Sequence, residues 1–296
     1  MSRSDQSGHI GAAVTGRRAF LGAAAGTAVA LGGTGSASAA GHGWRRRRLP
    51  PSAIGMHLYT MRTPLASDFP GTLERLARIG YATVGVSGRH GHSAAAIRSM
   101  LDATGLRAVL EHVAYPTVTG SGLPQAVEDV RTLGGRWIVV PSLPTTMHSP
   151  AGYREAARQF NAAGLLARRA GLKVLFHNHD GDHATVDGES LYRILLKETD
   201  PELVGFELDV FWASKGGDDP RRLFVTHPGR FPALHVKDMT PEGGFEDVGS
   251  GVLDFPAMFG TARSGGVRQW LVEHDTPADP FLTALRSYRY LARLRY

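Results

Sequence analysis

The sequence predicts a single-domain (β/α)8 barrel, in which eight parallel strands alternate with outer helices. From Ala53 onward, short apolar runs alternate with amphipathic helical patterns. Eight such units fit into about 245 residues, which is the usual size of this barrel. A doubly wound open sheet is the alternative, but it normally has a glycine-rich turn after its first strand. Here that position reads HLYTMRTP.

The first 39 residues are predicted to be an export signal rather than part of the fold. They contain Arg17 and Arg18, an apolar run from Ala19 to Leu31, and an Ala37-Ser38-Ala39 cleavage pattern. This is typical of a twin-arginine signal, and the run is shorter than the ~20 residues that span a bilayer. We expect export to the extracellular space or cell envelope, with no stable membrane span after cleavage. An uncleaved anchor is the alternative.

Residues 40–52 contain four consecutive arginines and a Pro-Pro, and are predicted to be a basic flexible linker before a barrel at 53–296. Seven of the 33 basic residues and one of the 27 acidic residues precede Leu49, which leaves 26 of each in the remainder. The barrel region is therefore neutral. A nucleic-acid-binding domain carries its positive charge within the fold, so no nucleic-acid partner is expected.

Eight runs rich in β-branched residues predict the strands, and several of them follow a glycine. They are residues 53–60, 81–87, 107–114, 136–141, 172–178, 203–210, 232–238 and 269–275. Apolar stripes with helical spacing predict helices between them, most clearly from Tyr153 to Ala170 and from Asp279 to Leu294.

Polar residues fall late in these predicted strands. In a (β/α)8 barrel the active site lies at the carboxyl ends of the strands, so their side chains are expected at one rim. They are His57, Tyr59, Glu111, His112, His177, His179, Asp209, His235, Lys237, Glu273, His274 and Asp275. Scattered surface residues would not collect in this way.

Strand parity selects a candidate metal site within this rim. Residues two apart on a strand share a face, so His177 and His179 point together and Asn178 is opposed. If His177, Asp209, His235 and Glu273 all point inward, four consecutive strands each supply one ligand. The chain has no cysteine, so a metal must use imidazole, carboxylate or water, which suits Mn, Mg, Zn or Fe. Hydrogen-bonded barrel histidines, a loop-capping Asp209 and an ion-paired Glu273 are the structural alternatives.

From Ile54 to about Tyr290 the chain resembles the xylose isomerase-like TIM barrels, in the branch called sugar phosphate isomerases/epimerases. The matching stretches are IGMHLYTMR, FHNHDGDH, FELDVFWASKGGDDP, LHVKD, DVGSGVLDF and WLVEHD. The resemblance implies a small-molecule sugar substrate. It also implies one divalent metal ion, with manganese, magnesium and zinc as candidates, at His177, Asp209, His235 and Glu273.

Three departures from the ketose 3-epimerases of this family bear on the reaction. Those enzymes carry Glu at the position of His177, and two carboxylates exchange the proton from opposite sides of the substrate carbon. They also carry His at the position of Trp212, and many relatives carry Glu at that of Gly85. The resemblance therefore favours one-sided proton chemistry, as in inosose dehydratases and in lyases or hydratases of keto-glycosides.

Proton abstraction next to a carbonyl through an enediolate assigns provisional roles to the remaining residues. Glu273 and His179 are candidate bases, because both are expected to face the metal, and His179 is also a candidate acid. Lys237 can steady the enediolate, unless it pairs with Glu207 one layer deeper. Tyr59 and Trp212 are expected to form a wall for a sugar ring, and His57 and His112 to line the pocket.

Two other classes of function stay open. An exported sugar-binding barrel without turnover would explain the missing Glu at position 177 and the presence of Trp212. A nuclease resembling endonuclease IV would need more metal ligands and a basic face, and the neutral barrel region argues against it. The oligomeric state is not determined by any of these patterns.

Overall fold

The chain forms a closed barrel of eight parallel strands, seen in a computed structural model that describes residues 47–296. The strands are Ile54–His57, Thr83–Val86, Arg107–His112, Trp137–Val140, Lys173–His177, Val204–Asp209, Ala233–Val236 and Gln269–Val272. The first strand closes the barrel by pairing with the last, Ile54 beside Trp270, and with the second, Gly55 beside Thr83. The predicted single-domain barrel is confirmed.

Eleven α-helices lie in the described part of the chain. They span Arg62–Ser67, Phe69–Ile79, Ala94–Thr104, Tyr115–Thr119, Leu123–Leu133, Pro150–Arg169, Leu191–Glu198, Val210–Lys215, Pro220–Thr226, Phe255–Ala262 and Pro280–Arg293. Several begin after an Asp or Ser whose side chain accepts a backbone N–H, such as Ser149 and Asp279. These N-caps satisfy donors that have no partner within the helix, and a following proline suits the first turn.

Each strand is shorter than its apolar run because the residues at the rim leave the sheet. After His57 the chain turns into a 3-10 helix at Leu58–Met61, so Tyr59 lies above the first strand rather than on it. His179, Lys237 and Glu273 likewise follow the ends of their strands. Two short antiparallel pairs, Thr185–Val186 with Glu189–Ser190 and Asp238–Met239 with Phe245–Glu246, lie in the connecting loops.

The barrel interior is apolar along most of the strands and polar at their carboxyl ends. A compact cluster fills it: Val109, Leu110, Trp137, Val139, Leu175, Ala233 and Leu271. Above this cluster, at the carboxyl ends, the buried side chains become His57, His177, Glu207, Asp209, His235 and Glu273. A larger apolar layer packs the strands against the helices. The fold therefore closes the barrel beneath the polar end.

The last residues of the predicted linker are part of the barrel, which corrects the expectation of a flexible tether there. Arg47 and Tyr296 exchange backbone hydrogen bonds of 2.7 and 3.1 Å. Leu49 is buried and packs into the core, and Pro51–Ala53 forms a 3-10 turn. The arginine-rich composition predicted an exposed segment, but Leu49 after the arginines is apolar and packs into the core. The predicted signal at 1–39 and the linker before Arg47 lie outside the described residues.

No helix within residues 47–296 is both long enough and apolar enough to cross a membrane.

Candidate metal centre and active site

His235 lies at the centre of a buried polar cluster at the carboxyl end of the barrel. Its Nδ1 is 2.7 Å from Glu273 Oε2 and 3.8 Å from Asp209 Oδ2. Its Nε2 is 3.0 Å from Glu207 Oε1. One imidazole thus faces carboxyl groups from both flanking strands.

Glu207 is the member of this cluster that the sequence reasoning did not include among the ligands. Its Oε2 lies 2.7 Å from His112 Nε2 and 3.9 Å from His177 Nδ1. The alternative pairing of Lys237 with Glu207 is not found, because Lys237 pairs with Asp209, Glu273 and Asp275 instead. In the register Glu207 stands level with Ala233, so its carboxylate reaches the ring of His235 from below and not Lys237. Its shared parity with Asp209 was the signal that could have identified it.

Two overlapping groups of residues have the geometry to hold a metal ion. Within each group, one candidate ligand atom per residue lies within 4.8 Å of the others. The first group is His112, His177, Glu207 and His235, and the second is His57, His235 and Glu273. Three residues of the expected set, His177, His235 and Glu273, belong to these groups. His57 and His112, expected only to line the pocket, belong as well.

Asp209, the fourth expected ligand, borders the groups and also caps a helix. Its Oδ1 accepts the backbone N–H of Trp212 at 2.9 Å, at the start of the helix Val210–Lys215. Its Oδ2 faces His235 and Lys237. Asp209 therefore caps a helix through one carboxylate oxygen, as the structural alternative predicts, while its other oxygen still faces the polar cluster.

The chemistry of the donor atoms fits a divalent cation. Among residues 47–296, several buried nitrogen and oxygen atoms here have no hydrogen-bond partner: His57 Nε2, His177 Nδ1, Glu207 Oε1, Asp209 Oδ2, both ring nitrogens of His235, and Glu273 Oε2. The short contacts of His235 are close in distance but not aligned as hydrogen bonds. Buried polar atoms are rarely left unpaired, because each costs about 1–3 kcal/mol. Imidazole and carboxylate donors together suit manganese, zinc or iron.

Lys237 contributes a cation to the same centre. Its Nζ lies 3.0 Å from Asp209 Oδ2 and 2.8 Å from both Glu273 Oε2 and Asp275 Oδ1. Burial would lower the pKa of Lys237, but the three carboxylates raise it well above its usual value. The ammonium is therefore charged at neutral pH.

Two imidazoles of the cluster, those of His57 and His177, are held neutral. Burial, followed by His112 and His235, lowers the pKa of His57 to about 3, against the opposing effect of Glu273. Burial, followed by His235, also holds the pKa of His177 well below its usual value. A neutral imidazole offers the lone pair that a metal ligand needs.

The central imidazole behaves differently. Burial would lower the pKa of His235, but Glu207 and Glu273 raise it to about 10. Burial would raise the pKa of Glu273, but His235 and then Lys237 bring it well below its usual range. Without a cation in the site this favours an imidazolium between two carboxylates, and a metal ion bound at His235 would have to displace that proton.

Gly85 makes room for His57. A Cβ at Gly85 would lie 2.7 Å from His57 Cδ2 and 3.0 Å from side-chain carbons of Leu110 and Leu271. With that space free, His57 reaches across to place its Nδ1 2.8 Å from Glu273 Oε1. The glycine on the second strand and the histidine on the first are thus one feature, because the ring of His57 takes the space that a side chain at position 85 would fill.

The stretch LFHNHDGDH divides its polar residues between two sides of the barrel wall. His177 faces the metal centre, and His179 lines the cavity above it with the two rings 4.9 Å apart. Asn178 is opposed, as parity predicts, and binds the backbone of Asp209 on the outer side. Asp182 accepts the backbone N–H of His179 at 2.6 Å and also bonds the Tyr153 hydroxyl. His183 lies 2.7 Å from Asp218 and 3.0 Å from Asn178.

A cavity of about 480 Å³ opens above the metal centre. Its lining includes His57, Tyr59, Arg62, His112, His177, His179, Lys237, Glu273 and Asp275. Tyr59 is 41% exposed at its edge. The Trp212 ring lies 5.5 Å from both the His179 ring and Lys237 Nζ, and its buried Nε1 has no hydrogen-bond partner. The cavity therefore joins a polar floor to one aromatic side chain at its edge, Tyr59. Trp212, expected in the same wall, lies beside His179 and is not among the lining residues.

Comparison with known proteins finds inosose dehydratases among the relatives of this chain. The chain is 29% identical over 153 residues to an inosose dehydratase of Geobacillus thermodenitrificans, covering 44% of this chain and 51% of that protein. It thus spans about half the length of that relative. It is 27% identical over 264 residues to the rhizopine catabolism protein MocC of Rhizobium meliloti, covering 75% and 80% of the two chains.

A solved structure extends the likeness to the whole barrel. A sugar phosphate isomerase/epimerase from Parabacteroides distasonis superimposes with a TM-score of 0.70 at 28% identity, covering 81% of this chain and 93% of that one. The sequence profile of the xylose isomerase-like TIM barrels matches residues 73–294. The chain belongs to the xylose isomerase-like TIM barrel family.

Proposed function

We propose that this protein is a divalent-metal-dependent enzyme that removes the proton next to the carbonyl of a keto-sugar, keto-polyol or keto-glycoside. The observation that carries the proposal is the convergence of buried imidazole and carboxylate donor atoms around His235, several of which make no aligned hydrogen bond within residues 47–296. These atoms lie on the floor of a cavity large enough for a small sugar derivative. Manganese, magnesium and zinc are the candidate ions.

Residues of the cluster would hold the metal. Within it we favour the expected set His177, Asp209, His235 and Glu273, and His57, His112 and Glu207 offer further donors. A divalent cation at this position supplies Lewis acidity, which polarises a substrate carbonyl and stabilises the negative charge that develops on its oxygen.

Two residues are placed to take the proton. Glu273 is ionised, because His235 and Lys237 offset the effect of its burial, and its carboxylate lines the cavity. His179 lines the same cavity and belongs to neither metal group, and burial lowers its pKa, so the ring is neutral at pH 7. A neutral imidazole accepts a proton and, once protonated, can deliver it to a leaving hydroxyl. The Lys237 ammonium lies where it can stabilise an adjacent oxyanion.

Elimination of water is the outcome that we favour over two-base epimerisation. Position 177 carries an imidazole in place of the Glu that is expected to exchange the proton from the opposite side in the ketose 3-epimerases. The likeness to inosose dehydratases supports the same choice. We further propose that the twin-arginine segment directs export, which favours a free or glycosidic sugar over a phosphorylated one.

Metal binding can be tested by equilibrium dialysis of the protein against manganese or zinc, followed by metal analysis. The wild type is expected to retain about one ion per chain, and Asp209→Ala to lose it. Asp180→Ala is the matched control, because Asp180 is exposed in the turn after the fifth strand and its side chain bonds only the backbone N–H of Gly181 within the described residues. If wild type and Asp209→Ala are equally metal-free, the metal-dependent mechanism is refuted.

Turnover can be tested with keto-glycosides, inososes and ketoses in deuterated buffer with manganese. Solvent exchange at the carbon next to the carbonyl is expected, together with loss of water from the substrate. Epimerised product would exclude the one-sided reaction. Sugar binding without exchange would identify a binding protein and exclude the enzyme.

A further inference from the structure

A second cavity lies at the amino-terminal mouth of the barrel, at the end opposite the metal centre. Its volume is about 320 Å³. It is bounded by the helices Ala94–Thr104 and Leu123–Leu133 and by the starts of the third, fourth and eighth strands. The apolar cluster that fills the barrel, including Leu110, Val139 and Leu175, separates the two cavities. The mouth cavity is therefore an independent site.

Arginines dominate the polar lining of this cavity. Arg107 begins the third strand, and Arg136 and Arg268 immediately precede the fourth and the eighth. Arg98 comes from the adjoining helix, and its Nε lies 2.8 and 2.9 Å from the two carboxylate oxygens of Asp102. This ion pair neutralises Arg98.

The other three guanidinium groups have no carboxylate partner within residues 47–296. The guanidinium of Arg107 donates only to the carbonyl of Ser52, at 3.1 Å. The side chains of Arg136 and Arg268 make no hydrogen bond or ion pair in the described part of the chain. From Leu49 onward the chain is neutral, with 26 basic and 26 acidic residues, so this local excess of positive charge is not a general property of the surface.

Further observations describe the interior of the cavity. Apolar side chains form its walls, among them Leu101, Leu106, Leu133 and Trp137, and Trp137 is only 7% exposed. All four arginines are exposed to solvent, and Asp102, the partner of Arg98, also lines the cavity. The cavity thus combines three exposed guanidinium groups that have no carboxylate partner within residues 47–296 with an apolar surface.

From this geometry we infer that the mouth cavity binds a small organic dianion, with two carboxylates or one phosphate attached to an apolar body. Guanidinium groups bind carboxylate and phosphate through paired N–H donors. Three of them call for more than one negative charge, and the leucines and Trp137 provide contact for carbon atoms. A cavity of this size holds a molecule of about ten to twenty non-hydrogen atoms.

Isothermal titration calorimetry in about 150 mM NaCl, where long-range attraction is screened, tests the inference. The probes are benzene-1,3-dicarboxylate and phenyl phosphate, which distinguish the carboxylate source from the phosphate source. Neutral benzene-1,3-dicarboxamide is the control ligand. We expect saturable binding of at least one dianion to a single site, and no binding of the diamide.

The variants are Arg136→Gln/Arg268→Gln and the charge-matched control Arg78→Gln/Arg131→Gln, whose arginines are exposed and pair with Glu74 and Glu128 elsewhere on the surface. The first is expected to weaken binding at least about tenfold for each guanidinium removed. The second is expected to bind as the wild type does. Equal weakening in both variants, equal binding of the diamide, or the lack of saturable binding to either dianion would overturn the inference.

Discussion

Replacing Asn178 by alanine is expected to loosen the end of the sixth strand, where Asp209 borders the candidate metal centre. Asn178 is fully buried. Its Oδ1 accepts the backbone N–H of Asp209 at 2.9 Å, and its Nδ2 donates to the Asp209 carbonyl at 3.2 Å. Nδ2 also lies 3.0 Å from His183 Nε2. The side chain thus ties the end of the fifth strand to the sixth.

The expected cost follows from these contacts. Three buried hydrogen bonds at about 1 kcal/mol each give a loss of about 3 kcal/mol in the free energy of unfolding, which is about 100-fold in the folded-to-unfolded ratio. Freeing the backbone of Asp209 should also weaken metal binding about 10- to 100-fold, as loss of a group that orients a ligand does.

Urea unfolding followed by tryptophan fluorescence measures the first effect, and equilibrium dialysis measures the second. Asn161→Ala is the matched control, because Asn161 also bonds a backbone carbonyl and a backbone N–H, but at a partly exposed position. Its loss should be about 1 kcal/mol, with metal affinity unchanged. If the two variants lose equal stability and bind metal equally well, Asn178 does not hold Asp209 in place.

Three further predictions concern other parts of the chain. Gly85→Ala should cost about 1–3 kcal/mol in the free energy of unfolding and weaken metal binding, because the new Cβ displaces His57. Leu49→Ala should cost about 2–4 kcal/mol in urea unfolding, because the side chain is buried in the core. Asp218→Asn should cost about 1 kcal/mol at pH 7, discounted for partial exposure. The hydrogen bond from His183 lowers the pKa of Asp218, so this stability is present above the usual value of 3.8 and is lost as the pH falls through the folded-state pKa.

Each of these predictions has its own control and refuting result. Ala substitution at Gly260, where a Cβ meets no atom within 4 Å, should leave metal affinity unchanged, and an equal effect would refute the role of Gly85. Leu282→Ala removes an exposed leucine and should cost little. If Leu49→Ala costs no more, residues 47–52 do not contribute to the barrel. A difference between wild type and Asp218→Asn that does not change down to about pH 3 would exclude the proposed linkage.

The fold could be predicted because its signals are local. Runs of β-branched residues indicate strands such as Trp137–Val140, and apolar stripes that follow a capping residue indicate helices such as Pro280–Arg293 after Asp279. Strand ends were placed too late because the apolar pattern continues into residues that turn over the rim. Tyr59 is the clearest case, since it lies in a 3-10 helix.

The polar cluster could be predicted only as far as strand parity reaches. Parity brings His177, His235 and Glu273 to the barrel interior, and their role as metal ligands stays a prediction. The neighbours of Glu207 and Lys237 depend on the stagger between strands, which places Glu207 beside Ala233. That stagger is a property of the closed barrel, so it cannot be predicted from the residues of any one strand. The stagger also brings Arg136 and Arg268 to one cavity, which the sequence alone did not predict.

The ammonium of Lys237 bears on the order in which the protein matures. Three carboxylates crowded together would repel one another and resist folding, yet here a side chain of the same chain already compensates them. Small zinc modules stay unfolded until their ion arrives, because their ligands have nothing else to hold them. This barrel carries an internal counter-ion, so it can complete folding before it binds the metal ion that we propose.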